Sequence, residues 1–435
     1  MPTGRLLAAL FAVLPAVSLA DVSVPKTPAG HLLGAWLDAF NSADRARAEA
    51  FIKASAPGMD ADNTAQWQAQ TGGYDLLEVY SNDKTNVFFR VKARTTAAEE
   101  VGWLSVSEAE PVTVRHVATW RIPAGATVDP VPLDAAARRA VVERVAADFD
   151  SSYVYPEVGR RMSAALRAHE KRGDYRAMHY GIDLARKLTE DLQEISHDRH
   201  AEVRFSFFVK APQSPASQSE AEARRLAAKN CGFEKAEHLR PNIGYVKFDM
   251  FADAAVCAPT ASAAMNFVAD SDALILDLRD NHGGGGGMGE FIASYLFEQR
   301  THLNDIVDRA GNVMQDAWTL PQVPGRKFIG KPVFVLTSKQ TFSAAEDFSY
   351  GLKNLQRATL IGETTGGGAH PIDIKPIDQH FSLVVPFARS ISPITRSNWE
   401  GTGVEPDVQV AADQALDAAL KLAAEQLSNV RSKLR

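Results

Sequence analysis

Two short stretches, DALILDLRD from Asp272 and KPVFVLTS from Lys331, constrain the fold most. Each is a compact apolar run without polar alternation, as expected of a buried strand, and each leads through a turn into a helical pattern. From Asn242 onward the alternation persists: NIGYVKFDMF, a helix over ASAAMNFVA, DALILDLRD, a glycine run, a helix over GEFIASYLF, KPVFVLTS, the helix AAEDFSYGLKNL, then ATLIGET and HFSLVVPFA. Such alternation predicts a mainly parallel α/β core over residues 241–435, closed by the amphipathic helix DQALDAALKLAAEQL.

The 435 residues leave room for two or three domains. Residues 21–125 read as a small α+β unit: a helical pattern through HLLGAWLDAFNSADRARAEAFIKA, then alternating segments such as YDLLEVYS, NVFFRVKAR, EEVGWLSVS and VTVRHVATWRI. That order resembles the cone-shaped ketosteroid-isomerase-like domains. The Pro/Gly/Asp-rich IPAGATVDPVPLD separates it from residues 130–205, where three amphipathic stretches predict a helical subdomain. Residues 206–240, with the polar APQSPASQSEAE, read as an exposed linker.

Residues 1–20 have the order of a secretory signal: Arg5, an apolar run from Leu6 to Val17, and the small-residue site Ser18-Leu19-Ala20. The run is too short for a membrane span, so the mature chain is expected to start near Asp21 in a secreted or periplasmic location. A net charge of −6 and scattered basic residues argue against nucleic acid or an anionic membrane surface as partner. Cys231 and Cys257 are the only cysteines; spacing alone leaves open whether they pair. No Cys/His cluster has metal-site spacing, and no metal or other cofactor is expected.

In KPVFVLTSKQTFSAAEDF, a strand, a short turn and a helix place Ser343 at the helix start. Free backbone N–H groups and the positive end of the helix dipole suit a developing oxyanion there, although serine is also a common N-cap. Glu346 and Asp347 read as first-turn acids complementing the dipole. Upstream, the glycines Gly283 to Gly287 follow a buried strand, so backbone N–H groups can approach a ligand unobstructed. Neither a Walker lysine nor spaced Rossmann glycines accompany them, which removes the nucleotide reading.

Taken in order, DALILDLRDNHGGG, VFVLTSKQTFSAAEDF, ATLIGETTGGGAHP and WEGTGVEPDV resemble the core of the tail-specific (C-terminal processing) serine peptidases and their tricorn relatives. YVYPEVGRRM, ISHDRHAEVRF and CGFEKAEHLRPNIGYVKFDMF are similar to the branch containing interphotoreceptor retinoid-binding protein. The resemblance spans roughly residues 140 to 412 and implies a Clp-protease/crotonase-like core. It also implies Ser343 as nucleophile and an oxyanion hole from the N–H of Ala344 and of Gly283 or Gly284. The processing peptidases carry a lysine base where Gly368 stands here, which excludes a Ser-Lys dyad. The tricorn-like arrangement implies a histidine base, His200, with Glu400 in support; Arg199 stands before His200 where a serine is expected. His197 and His370 are alternative bases, and His282 ranks below His370.

A serine, an imidazole and a carboxylate assembled by the fold are coherent chemistry for peptide-bond hydrolysis through an acyl-enzyme, with a peptide or protein substrate. A non-catalytic carrier of lipophilic ligands on the same scaffold is the alternative. An acyl-thioester enzyme is disfavoured by the export signal. No inserted PDZ-like module fits between Phe208 and Pro241, so the N-terminal unit is the candidate for docking substrate.

Overall fold

The computed structural model describes residues 22–129, 133–209, 215–285 and 287–433. The expected export signal over residues 1–20 lies outside them. The chain divides into two units, Met1–Pro130 with Phe207–Val209, and Val131–Ser206 with Lys210–Arg435.

The first unit is α+β. Helix α1 (Pro28–Asn41) starts with proline at N1 and Thr27 as N-cap, whose hydroxyl accepts from the Gly30 N–H at 3.1 Å. It is followed by α2 (Arg45–Ser55) and α3 (Ala61–Thr71). Strands β1 (Tyr74–Asn82), β2 (Asn86–Ala93), β3 (Glu99–Val106) and β4 (Val114–Arg121) then form an antiparallel sheet in sequence order. Trp36, Phe40, Trp67 and Tyr74 cluster in its core, with Phe40 stacked on Tyr74 at 5.6 Å. The short β5 (Thr127–Val128) completes the run.

The second unit opens with α4 (Ala135–Ser152), α5 (Pro156–Arg172) and α6 (Gly181–Ser196), the three amphipathic stretches read from sequence. Asp134 caps α4 by accepting from the N–H groups of Ala136 and Ala137. Strand β6 (Glu202–Phe205) follows. Next in the chain, β7 (Phe208–Val209) belongs to the first unit and pairs antiparallel with β5. The expected linker over 206–240 is corrected by the structure: it holds β7, α7 (Pro215–Ala228) and β8 (Phe233–Leu239). Polar composition misled here because the exposed faces of α7 and β8 carry the Ser, Glu and Lys residues.

The remaining elements are β9 (Ile243–Phe248), α8 (Ala254–Phe267), β10 (Ala273–Asp277), α9 (Met288–Ala293), β11 (His302–Asp308), β12 (Val313–Trp318), β13 (Val333–Thr337), α10 (Ala344–Asn354), β14 (Thr359–Gly362), β15 (Ile372–Pro376), β16 (Phe381–Pro386), β17 (Ala388–Ile391), β18 (Val408–Gln409) and α11 (Ala415–Lys433). The central sheet has the order β18-β14-β13-β10-β9-β8; all neighbours run parallel except the edge pair β8–β9. Every residue of β10 and β13 is buried. One face packs on a cluster including Met265, Phe291, Phe348 and Leu352, and the other on Ala415, Ala419 and Ala423 of α11. The predicted mainly parallel α/β core is therefore observed, and its physical cause is two-sided burial. Two antiparallel sheets, β12-β11-β17 and β15-β16-β6, flank it.

Cys231 and Cys257 form a disulfide with a Cα–Cα distance of 5.7 Å, joining the turn after α7 to α8. Closing a loop of 26 residues restricts the unfolded chain by about 3 kcal/mol. The double variant Cys231→Ala/Cys257→Ala is thus expected to lose about that much unfolding free energy in guanidinium titration. An unchanged midpoint would contradict a stabilising bridge.

Candidate active site

Strand β13 ends at Thr337, and the turn Ser338–Phe342 delivers Ser343 to the N-cap of α10. The turn is tied to the neighbouring strand end: Thr341 Oγ1 donates to the Leu278 carbonyl at 2.8 Å, and the Phe342 N–H to the Asn281 carbonyl at 3.1 Å. Ser343 itself has φ 54° and ψ −122°, a conformation costly for a residue with a β-carbon. Gly283 is packed against it, since a β-carbon there would lie 2.7 Å from Ser343 Cβ and 3.0 Å from the Ala344 nitrogen.

Among the expected oxyanion donors, Gly283 is already committed: its N–H donates to Asn281 Oδ1 at 2.9 Å. The N–H groups of Ala344 and Gly284 make no hydrogen bond among the described residues. These two, one at the first helical position and one in the glycine loop, border the same cavity as Ser343. That cavity has a volume of about 240 Å³ and is also lined by Gly368, His370, Asn304, Asp347, Glu290 and Trp399.

Glu346 is fully buried, at 0% exposure. Its Oε2 accepts from the N–H groups of Ser343 and Gly368, both at 2.8 Å. Its Oε1 accepts from Thr365 Oγ1 at 2.5 Å and the Gly367 N–H at 2.7 Å. Burial raises its pKa, opposed by these hydrogen bonds. The spacing Ser343-Ala-Ala-Glu346 is the capping-box signature, which offered the one local signal of this role.

A second buried group organises the histidines. Asp198, at 1% exposure, accepts from the His200 N–H at 2.9 Å, from the Tyr153 hydroxyl at 3.1 Å and from His370 Nδ1 at 2.6 Å. Burial favours its neutral form, yet the bond to His370 and the facing imidazoles hold its pKa below the ordinary carboxylate value. Glu400 lies 3.4 Å from His370 Nδ1 and accepts from the Ala369 N–H at 2.6 Å. Burial, reinforced by Asp198, pushes Glu400 up to about 7. Asp198, His370 and Glu400 are also the one His/acid cluster of metal-ligand compactness among the described residues.

His200 is buried against Phe342, ring centroids 4.7 Å apart, with its Nδ1 3.8 Å from Asp198. Burial lowers its pKa to about 4, which leaves the ring neutral at physiological pH. A β-carbon on Gly368 would stand 2.6 Å from His200 Cε1 and 2.3 Å from the Phe342 ring. His370, not His200, is on the cavity wall, with its Nε2 unpartnered. No hydrogen bond joins either ring to Ser343 among the described residues. His197 is the exposed left-handed cap of α6, and His282 is exposed beside the glycine loop. Arg199 does not orient His200; its guanidinium donates to the Gly366 carbonyl at 3.0 Å and lies over the Phe342 ring.

Sequence reasoning named Ser343, Ala344, Gly284 and His370, which line one cavity, Glu400, which stands beside His370 without lining it, and His200, which packs on Phe342. It missed Asp198, whose only signal was its position two residues before His200. It also understated Glu346 and Asp347, which cap α10 but face inward.

The model of peptidase family S41 matches residues 242–410, and that of the N-terminal domain of Peptidase_S41 in eukaryotic IRBP matches residues 135–237. Carboxyl-terminal-processing peptidase 2, chloroplastic, of Arabidopsis thaliana is 30% identical over 169 residues, 38% of this chain and 32% of that protein. The carboxyl-terminal-processing protease of Picosynechococcus sp. is 25% identical over 203 residues, 46% of this chain and 47% of that one. The chain thus spans from 32% to 47% of the length of these curated relatives. Among solved structures, the photosystem II D1 C-terminal processing protease superposes with a TM-score of 0.41 at 16% identity, covering 65% of this chain and 94% of that one. The tricorn protease gives 0.42 at 14%, covering 82% and 42%. With both domains of the family matched in order along residues 135–410, the chain belongs to peptidase family S41.

Proposed function

We propose that this chain is an exported serine peptidase that cleaves peptide bonds through an acyl-enzyme on Ser343. The observation that carries the reading is the strained helix-start serine bordered by two uncommitted amides, Ala344 and Gly284. Attack of Ser343 Oγ on a peptide carbonyl creates an oxyanion that these N–H groups can receive, while the positive end of α10 adds a favourable field. Water then hydrolyses the ester formed, and the serine is regenerated.

His200 takes the serine proton and passes it to the leaving amine. Gly368 supports this role, because the absence of a β-carbon leaves room for the imidazole beside Phe342, the residue preceding the nucleophile. Asp198 stabilises the imidazolium that forms, and His370 with Tyr153 fixes the Asp198 carboxylate. A second reading makes His370 the base, since it lies on the cavity wall with Nδ1 held by Asp198 and Nε2 free. The lipophilic-carrier alternative fits less well, because the cavity wall includes two carboxylates and two side-chain amides. Export draws support from the Cys231–Cys257 disulfide, a bond that persists in oxidising compartments. No helix among the described residues is long and apolar enough to cross a membrane.

A fluorophosphonate probe is expected to label the wild-type protein and not Ser343→Ala; folded but unlabelled wild type would overturn the nucleophile. His200→Ala should cut the labelling rate by about 10²-fold or more, with His197→Ala near wild type. Loss confined to His370→Ala would transfer the base to that residue.

Glu400 is neutral below its pKa of about 7 and charged above it. The labelling rate should therefore rise as pH increases through about 7, because the ionised carboxylate favours charge on the imidazole cluster. Glu400→Gln should flatten that step; a step that survives the substitution would exclude Glu400 as its source. Glu346→Gln turns an amide NH₂ toward N–H donors and is expected to cost about 1–3 kcal/mol of stability, read as a lower denaturation midpoint.

A further inference from the structure

One wall of the cavity is not used by acyl transfer. Asp347 follows Ser343 by four residues on α10, one helical turn of about 5.4 Å further along the same face. It lines the cavity, and its carboxylate is held in place by two residues that line the same cavity. Asn304 Nδ2 donates to both oxygens at 2.5 Å, and Ser390 Oγ donates to Oδ1 at 2.8 Å.

This arrangement fixes the Asn304 amide. Its NH₂ must face the carboxylate, and it also donates to Ser390 Oγ at 2.9 Å. Consequently the Asn304 Oδ1 is left without any donor, although the residue lines the cavity and is only 6% exposed. A buried acceptor in that state costs free energy until a donor arrives. Glu290, at the start of α9, adds a second carboxylate to the same wall. Among the described residues, no lysine or arginine lines the cavity to neutralise the pair.

We propose that this end of the cavity is a subsite for a cationic side chain, the lysine or arginine whose carbonyl Ser343 attacks. The inference rests on Ser343 being the nucleophile. The ligand must bring several donors and positive charge, and an ammonium or guanidinium has both and no acceptor. A four-carbon stem spans the one turn between the serine and Asp347. Burial and the facing Glu290 raise Asp347 to about 6, still below neutral pH, so the carboxylate remains largely ionised there and a cation beside it would lower that value again.

The test uses Ser343→Ala, which blocks turnover, titrated calorimetrically with a peptide pair differing only in lysine or norleucine at the residue to be cleaved. Lysine is expected to bind about tenfold tighter, and adding Asp347→Asn should close the gap. Glu290→Gln, which leaves the Asn304–Ser390 contacts intact, should narrow it and serves if the Asp347 variant does not fold. Equal binding or a norleucine preference overturns the subsite, even when the wild-type protein takes the fluorophosphonate label. A lysine preference in a protein that takes no label would retain the cation site and remove the nucleophile. Loss of both signals sinks both assignments.

Discussion

The arrangement around Ser343 depends on one buried carboxylate. Glu346 has no exposed surface, and an ionised group in such a place is tolerated only when its oxygens are fully hydrogen-bonded. Four donors meet that demand, and they come from two separate parts of the chain: Ser343 itself, and the turn Thr365 to Gly368. The carboxylate thus clamps the nucleophile turn to the glycine turn. Its hydrogen bond to the Ser343 N–H helps hold the serine in backbone angles it would otherwise leave.

The glycines work with that clamp by subtraction. At Gly283 a β-carbon would collide with Ser343, and at Gly368 with His200 and Phe342. Gly284 approaches the Phe251 carbonyl so closely that a β-carbon would stand 2.1 Å from it. Close backbone approach leaves amide N–H groups facing a small cavity and allows two histidines to gather round Asp198. His370 is hydrogen-bonded to Asp198, with the His200 ring and Glu400 close by, and burial and charge in this cluster hold Asp198 and His200 low and Glu400 high.

The same chemistry separates two roles for acids on α10. Glu346 points toward the glycine turn and is consumed by structure, whereas Asp347, one residue on, lines the cavity together with its partners Asn304 and Ser390. Both look like first-turn acids in a linear sequence. The helix period turns adjacent residues by about 100°, so consecutive carboxylates meet different surroundings.

The sequence alone determined what depends on neighbours along the chain. Unbroken apolar runs at β10 and β13 required two-sided burial and hence a mainly parallel core; the GETTGGG turn lacked the lysine of the Ser-Lys dyad; Ser343 stood at a helix start after a short turn. Tertiary structure decided whatever depends on residues far apart in sequence. Asp198 meets His370 across 172 residues, and Cys231 finds Cys257 across 26. No local pattern encodes those meetings, because hydrogen-bond partners and disulfide geometry are set by distances of a few ångströms that only the folded backbone creates. For the same reason, polar residues over 206–240 read as linker until their opposite faces were seen packed.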